Sequence, residues 1–266
     1  MGFEFGQSDL RTSVVTEATF KGNQAVFLVA DSGGATASTR GVNGLIPARA
    51  DDLNQFTATL VEWHDLVRRT SFNIFASQGD GRRIMQMTSR KVLNRKTDLD
   101  IIASLQTGTN FIGTSSTTMT LAMAVRALTV LGNQQVPVEE EDNMFALASF
   151  AAMAYLLQVK EFNAAPYVEI KPLNGPARRF RRWAGFNWIF HPLIPGVGTS
   201  NETLFFYHRD AIGHAVNTGE MQALAGYHEE QDYSWARTTA FMGSTLLQNR
   251  GVVLARHDGS AYAATA

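Results

Sequence analysis

The 266-residue sequence contains no cysteine. Without thiols the chain has no disulfide framework, no cysteine nucleophile and no cysteine-ligated zinc, and its redox compartment stays open. An excess of charge of one sign is also lacking, because 23 lysines and arginines stand against 24 acids and the formal net charge is −1. A nearly neutral chain has no overall attraction to nucleic acid or to an anionic membrane, so only local patches of charge could bind either.

Long hydrophobic runs are absent as well. No window reaches the ~18 apolar residues that a membrane-spanning helix needs. The first residues, MGFEFGQSDLR, lack the basic and apolar regions of a secretion signal. No internal repeat or low-complexity linker divides the chain, so its length allows one large core or two small ones.

The longest uninterrupted helical pattern lies between Gly81 and Gly108. Asp80 is placed to cap its start, and Gly108 is placed to end it. A helix of about 26 residues measures roughly 40 Å, much longer than an average globular helix, so we expect it to be the spine of the fold. Its apolar residues predict one stripe that faces a core: Met85, Val92, Leu99, Ile102 and Leu105.

Strand patterns precede this helix, and mixed patterns follow it. Residues 17–30 predict a strand, residues 31–44 a Gly- and Ser-rich turn, and Leu45 and Ile46 a return strand. Such a projecting hairpin is marginal in water, so we expect it to lie on a partner; the alternative is a mobile surface hairpin of a monomer. A second helix is predicted at residues 117–132 and a mixed α/β lobe at about 135–225.

No spacing in the sequence is typical of an active site. His208 and His214 are six residues apart, which suits neither one face of a helix nor one face of a strand. HEEQD, from His228, has Asp232 where a zinc protease motif needs a second histidine. GVGTSNE, from Gly196, lacks the lysine of a phosphate-binding loop. We therefore predict no catalytic residue, no metal and no cofactor.

Three clusters of charge remain as candidate interaction surfaces. ARRFRRW combines arginines with aromatic rings, which suits nucleic acid or the carboxylates of another subunit. An acidic run could collect a divalent cation, but neighbouring side chains diverge, so a solvated surface is the better interpretation. The basic residues of the long helix form either a solvated face or a non-specific surface for a polyphosphate. These clusters are Arg178, Arg179, Arg181 and Arg182; Glu139, Glu140, Glu141 and Asp142; and Arg82, Arg83, Arg90, Lys91, Arg95 and Lys96.

In this order the elements resemble the major capsid proteins of tailed bacteriophages, which have the Hong Kong 97-type coat fold. The resemblance rests on the arm and projecting loop, on VLNRKTDLDIIASLQTG at the end of the helix, on VPVEEEDNMFALASFAAMAYLLQVKEF, and on DYSWARTTAFMGSTLLQNRGVVLARHDG. It covers nearly the whole chain. It implies an α+β, Hong Kong 97-like fold and self-assembly as hexamers and pentamers of an icosahedral shell around double-stranded DNA.

The resemblance also implies a division of the chain into segments, with the loop lying over the next subunit. The closing segment is expected to run as strand, helix and strand. The expected segments are an N-terminal arm at 1–16, an extended loop at 17–50, a peripheral domain at 51–134 with the spine helix at about 81–107, an axial domain at 135–225, and a return to the peripheral domain with the C-terminal tail at 226–266.

In such coats the spine helix runs near the inner face, so its six basic residues are candidates for contact with packaged DNA. Lys21 is the only lysine near the loop, so we predict no covalent lysine–asparagine mesh. Candidate contacts between subunits are Lys21, Arg40, Arg178, Arg179, Arg181, Arg182, Glu139, Glu140 and Glu141.

The resemblance implies further partners and a location. Because no helical scaffolding segment precedes the arm, we expect a separate scaffolding protein, together with a portal and optional decoration proteins. No membrane is expected. The expected location is the capsid of the virion, after assembly in the host cytoplasm.

Two other functions remain open. An encapsulin-type nanocompartment has the same fold and a similar length, but it encloses a cargo enzyme and suits a basic inner helix less well. An aromatic-rich ligand-binding protein or hydrolase would use Trp183, Trp188, Trp235 and His191 as a platform. Electron microscopy distinguishes the three, because they form DNA-filled shells, cargo-filled shells and small particles respectively.

Overall fold

The computed structural model describes residues 10–17, 22–30, 35–46, 53–76, 81–159 and 181–263. Within these ranges the helices are α1 (Ser71–Ala76), α2 (Gly81–Leu105), α3 (Leu121–Asn133) and α4 (Phe150–Gln158). The strands are β1 (Val15–Glu17), β2 (Gln24–Ala30), β3 (Leu53–Thr59), β4 (Val61–Thr70), β5 (Phe111–Gly113), β6 (Met144–Ala148), β7 (Arg181–Trp183), β8 (Phe186–Phe190), β9 (Glu202–His208), β10 (Ile212–His228), β11 (Tyr233–Leu246) and β12 (Val252–His257).

The described strands form three sheets. A four-stranded sheet has the order β1-β10-β11-β4, a six-stranded sheet has the order β5-β12-β9-β6-β8-β7, and β2 and β3 form a separate hairpin. The two large sheets mix parallel and antiparallel pairs, such as β6 with β8 and β6 with β9. Helices packed on mixed sheets confirm the predicted α+β class.

The six-stranded sheet holds the main core. All five residues of β6 are buried, and the largest fully buried side chains, Trp188, Tyr207, Phe186, Phe205 and Phe206, lie on β8 and β9. A strand that is buried on both faces has a continuous run of apolar residues, which explains the apolar sequence MFALA of β6. Among the described residues no helix is long and apolar enough to cross a membrane.

The predicted long helix is present as α2, with 25 residues, but its buried stripe differs from the prediction. Leu99 is 42% exposed, and buried residues recur at every fourth position instead. Four residues turn slightly more than one helical turn, so this line winds about 40° at each step. Two partners account for the winding, because α2 packs on β4, β10 and β11 and also contributes Ile101, Ile102 and Leu105 to the main core. The buried line is Met85, Ser89, Leu93, Thr97, Ile101 and Leu105.

The predicted return strand of the projecting hairpin was placed wrongly. Leu45 and Ile46 are 75% and 67% exposed and form no strand, whereas β2 pairs with β3. In this register Ala25 faces Ala58 and Phe27 faces Phe56. Only β3 offers apolar side chains at alternate positions to match those of β2, so the pairing selects it over the closer segment.

The helix expected in the closing segment is also absent. Tyr233–Leu246 is one continuous strand, β11, which pairs with β10 on one side and β4 on the other. After it β12 joins the six-stranded sheet, where it lies beside β5 and β9. Each large sheet therefore combines strands from several predicted segments, and the division into peripheral and axial domains stays a prediction.

Candidate functional surfaces

The hairpin of β2 and β3 has one face on the protein and one face in solvent. Its inner face places Ala25, Phe27 and Ala58 in a small buried cluster with Ala215 and Leu247. Its outer face exposes large apolar side chains beside uncharged polar ones, since Val26 pairs with Thr57 and Leu28 with Gln55. Exposed large apolar side chains on a face with no charge along either strand make it a candidate interaction site. The exposed residues are Val26, Leu28 and Leu53, and the segment at 35–46 adds Val42, Leu45 and Ile46.

Two glycines of the four-stranded sheet hold the base of this hairpin. A Cβ atom on Gly213 would lie 2.9 Å from Cζ of Phe27, and one on Gly243 would lie 2.2 Å from the carbonyl oxygen of Thr59. The ring of Phe27 and the carbonyl group of Thr59 can approach the sheet this closely only because Gly213 and Gly243 have no side chain. The hairpin is therefore anchored at its base and unsupported along its outer face.

The basic residues of α2 divide into two groups. At about 100° per residue, Arg83, Arg90, Lys91 and Arg95 fall within an arc of roughly 140°, opposite Met85 and its buried neighbours. The side chain of Lys96 departs from the predicted set, because its Nζ lies 3.7 Å from the centroid of the Trp63 ring on β4. The side chain of Arg82 lies outside the described residues. We call Arg83, Arg90, Lys91 and Arg95 the basic arc.

Two predicted charge clusters meet in the structure. The guanidinium of Arg182 pairs with the carboxylate of Asp142, and its Nε donates to Oδ1 of Asn187 at 3.1 Å. Glu140 accepts a hydrogen bond from Nδ2 of Asn143 at 2.8 Å. Glu139, Glu141 and Arg40 are exposed, whereas Lys21, Arg178, Arg179 and the side chain of Arg181 lie outside the described residues. Contacts of these residues with another subunit stay a prediction.

Asp98 forms a buried hydrogen bond with a histidine, which sequence reasoning missed. His191 Nε2 lies 3.1 Å from Asp98 Oδ2, and both side chains are 0% exposed. The backbone N–H of Leu193 donates to His191 Nδ1, so Nε2 carries the proton and donates it to Asp98. The other oxygen of Asp98 accepts from the backbone N–H of Leu10 at 3.3 Å. Asp98 thereby joins α2, the N-terminal segment and the end of β8.

Glu202 is a second buried carboxylate with several donors. It lies 2.8 Å from Nε2 of His257, and it accepts hydrogen bonds from the hydroxyl of Ser149 and the backbone N–H of Gly198. Ser149 also caps α4, because its Oγ accepts from the backbone N–H of Ala152. Serine, histidine and a carboxylate are the residues of a hydrolase triad, but these three are at most 1% exposed. No substrate reaches them, and they hold β9, β12 and α4 together.

A third group connects α2 to the four-stranded sheet. Ser244 Oγ donates to Asp100 Oδ2 at 2.7 Å, so it accepts from Nδ1 of His214 at 2.8 Å. Burial lowers the pKa of His214 to about 4, and the charge of Arg11 acts in the same direction. Burial also raises the pKa of Asp100. His214 is therefore neutral at pH 7.

No sequence motif points to these three groups. Their members are 93, 53 and 144 residues apart for His191–Asp98, Ser149–Glu202 and Ser244–Asp100. The only signal is a set of polar residues inside apolar runs, which is equally typical of turns. Residues brought together by tertiary structure alone leave no local pattern.

The proposed aromatic platform is not formed. Trp188 and His191 are 0% exposed, and Trp235 lies on β11, in the other large sheet from Trp183. Among the described residues no group of three or more His, Cys, Asp or Glu is arranged to hold a metal ion. The candidate functional surfaces of the described chain are therefore the outer face of the hairpin and the basic arc of α2.

Comparison with known proteins adds to this geometry. A family model described as phage capsid protein matches residues 5–258. No curated protein matches the chain. Among solved structures, the capsid of a native GTA particle is 12% identical with a TM-score of 0.74, covering 97% of this chain and 92% of that chain.

Two further solved structures are similar. Mycobacterium phage Che8 is 14% identical with a TM-score of 0.72, covering 96% of this chain and 93% of that chain. The capsid of the cyanophage P-SCSP1u is 10% identical with a TM-score of 0.69, covering 96% of this chain and 90% of that chain. At such identities the likeness shows the fold alone, and it confirms the predicted Hong Kong 97-like fold.

Proposed function

Since the chain belongs to the phage capsid protein family, we propose that its copies assemble as hexamers and pentamers of a shell around double-stranded DNA. The protein is a major capsid protein of an icosahedral shell, and its place is the capsid of the virion. The family is a structural one, and we propose that the chain has no enzymatic activity. The observation that carries the assembly proposal is the uncharged outer face of the hairpin, where Val26, Leu28 and Leu53 are left exposed by the described part of the chain.

The hairpin fits a second copy of the chain for physical reasons. Burying a Val or Leu side chain stabilises by about 1.5–3 kcal/mol, and Val26, Leu28 and Leu53 are each about half exposed. A shell repeats each contact in every subunit, so a modest gain per contact is sufficient for assembly. The anchored base keeps the hairpin in place, which lowers the entropy lost on docking.

Substitution of Leu28 tests the role of the hairpin. We expect Leu28→Asp to raise the protein concentration needed for shell formation about tenfold or more, because the carboxylate would be buried without a partner. Sedimentation and electron microscopy measure this. Leu28→Met is the matched control and should assemble, since it keeps the apolar surface. Normal shells from Leu28→Asp would contradict the proposal.

The basic arc supports the proposal that the shell encloses DNA. Its four side chains share one side of α2, away from the sheet, and a phosphate backbone binds such a surface without sequence preference. We expect Arg83→Gln with Arg90→Gln to leave shell formation intact and to reduce the DNA retained as salt is raised. The control is Arg68→Gln with Arg237→Gln, which replaces exposed arginines of β4 and β11.

The outcomes distinguish DNA from other contents. Equal DNA retention in both double variants would argue against the arc as the DNA surface. Shells that copurify with a protein cargo and no DNA would favour the encapsulin-type alternative.

Family membership also supports our proposals for the remaining partners. They are a separate scaffolding protein, a portal and optional decoration proteins, with assembly in the host cytoplasm. We further propose that the shell is held without covalent cross-links between subunits. Covalent ladders of shell protein on a denaturing gel would contradict this.

A further inference from the structure

Two histidines at strand ends share one local geometry. The backbone N–H of Leu193 donates to Nδ1 of His191, and the backbone N–H of Asp210 donates to Nδ1 of His208, each at 3.2 Å. A backbone N–H can only donate, so both Nδ1 atoms act as acceptors. In the neutral imidazole the proton then lies on Nε2, and each ring presents one N–H donor on its far side.

The two donors differ in what they meet. Nε2 of His191 donates to the buried carboxylate of Asp98 at 3.1 Å. Nε2 of His208 is buried and has no hydrogen-bond partner among the described residues. The nearest carboxylate, that of Glu140, is 3.9 Å away, 57% exposed, and already hydrogen-bonded to Asn143. The side chain of His208 is only 6% exposed, so bulk water does not replace the missing acceptor.

His208 lines a small cavity with room for a ligand. The cavity measures about 50 Å³, and its other polar side chains are those of Gln135, Gln248 and Arg250. That volume is a few times the ~10–15 Å³ that one water requires, so a carboxylate group or a small oxyanion fits. Gln135 has φ 60° because it ends α3, where its backbone N–H donates to the carbonyl of Gly132 and that of Val136 to the carbonyl of Leu131.

The charges around the cavity favour an anion. Arg250 contributes a guanidinium, whose Nε donates to Gln248 at 3.5 Å. The carboxylates of Glu140 and Asp210 each lie 3.9 Å from the ring of His208, but they are 57% and 66% exposed, so solvent screens them. We propose that this cavity binds an anionic oxygen ligand, either a carboxylate of a second copy or a free small oxyanion, which accepts the Nε2 proton of His208.

Thermal unfolding of the full-length protein, in the oligomeric state in which it is purified, tests the proposal. Sodium acetate and sodium phosphate are compared with sodium chloride at equal ionic strength. For a free oxyanion we expect a saturable rise in the unfolding temperature, which His208→Phe abolishes. His208→Gln retains an N–H donor and should preserve most of the effect. Arg250→Gln, with His208 in place, should weaken anion binding about tenfold.

A carboxylate from a second copy gives a different result. Free anions then have no effect, whereas His208→Phe lowers the denaturant concentration at which oligomers dissociate and His208→Gln does not. The proposal is overturned if the three proteins behave alike in both assays, because water then satisfies the donor. It is also overturned if Glu140→Gln reproduces His208→Phe, because the acceptor then belongs to the same chain.

Discussion

The six-stranded sheet and the β2–β3 hairpin represent two ways of placing apolar residues. The sheet encloses Trp188, Tyr207 and Phe206, and its buried carboxylate, that of Glu202, has several donors. The hairpin buries Ala25, Phe27 and Ala58 on one side and leaves Val26, Leu28 and Leu53 exposed on the other. A residue in the sheet is stabilised within one chain, whereas the outer face of the hairpin is left exposed by the described residues and, in our proposal, is covered by another copy.

This difference separates folding from assembly. Substitutions in the six-stranded sheet should lower the stability of every isolated subunit, whether or not shells form. Substitutions on the outer face of the hairpin should leave subunit stability unchanged and affect only the association of subunits. The Leu28→Asp variant therefore also supplies unassembled protein in which unfolding is not coupled to dissociation.

The largest expected effect is in the sheet. In the Leu28→Asp background, Glu202→Ala should lower the free energy of unfolding by about 3–5 kcal/mol, because it leaves the donors of Ser149, His257 and Gly198 buried without an acceptor. Urea unfolding measures this. Glu62→Ala is the control, since Glu62 pairs with His64 at 3.1 Å on the surface and should cost under about 1 kcal/mol. Equal costs would remove the distinction between interior and surface pairs.

The second largest expected effect is a loss of stability at acidic pH, and it arises in the four-stranded sheet on which the hairpin packs. Because the pKa of His214 falls from 6.5 to about 4 in the folded chain, the unfolded chain takes up the proton first. The contribution of neutral His214 to the free energy of unfolding is therefore fully present above pH 6.5. It decreases as the pH falls to about 4, by up to roughly 3 kcal/mol. The raised pKa of Asp100 acts with the opposite sign at the acidic end.

Substitution isolates the contribution of this histidine. His214→Gln keeps a donor for Ser244 and should show a smaller loss of stability between pH 6.5 and 4 in urea unfolding. An unchanged pH dependence would assign the acid sensitivity to other groups.

The smallest expected effect tests the anchor of the hairpin. Gly243→Ala should destabilise the subunit by about 1–3 kcal/mol, because its Cβ would lie 2.2 Å from the carbonyl oxygen of Thr59. Gly132→Ala is the control: a Cβ added to this glycine of α3 would have no neighbouring atom nearer than 3.9 Å, so alanine should stabilise by up to about 1 kcal/mol. Limited proteolysis within residues 35–46 should accelerate only for Gly243→Ala. Equal effects of both alanines would contradict a close contact at Gly243.

The sequence predicted those features that have a local cause. The uninterrupted pattern from Gly81 fixes α2, and the small-residue stretch after Ala30 indicates a projecting loop. The contact line of α2 was missed because a seven-residue repeat assumes one flat partner, and α2 has two. The return strand was missed because pairing of β2 depends on a match with β3 more than on proximity along the chain.

The candidate surfaces were predicted in part for the same reason. The sequence predicted a hairpin that needs a partner and a basic surface on α2, but it did not predict which apolar residues of the hairpin are exposed. The position of Lys96 over Trp63, and the donors around Asp98 and Glu202, depend on contacts between distant elements. Such contacts are set by the whole fold, so a single sequence carries no local sign of them.

The winding contact line of α2 has a mechanical consequence. Between Met85 and Leu105 the buried face of the helix turns by about 200° around the helix axis. The two ends of α2 are therefore packed on nearly opposite faces. A helix packed in this manner resists both translation along its axis and rotation about it, because either movement would break the packing contacts at both ends.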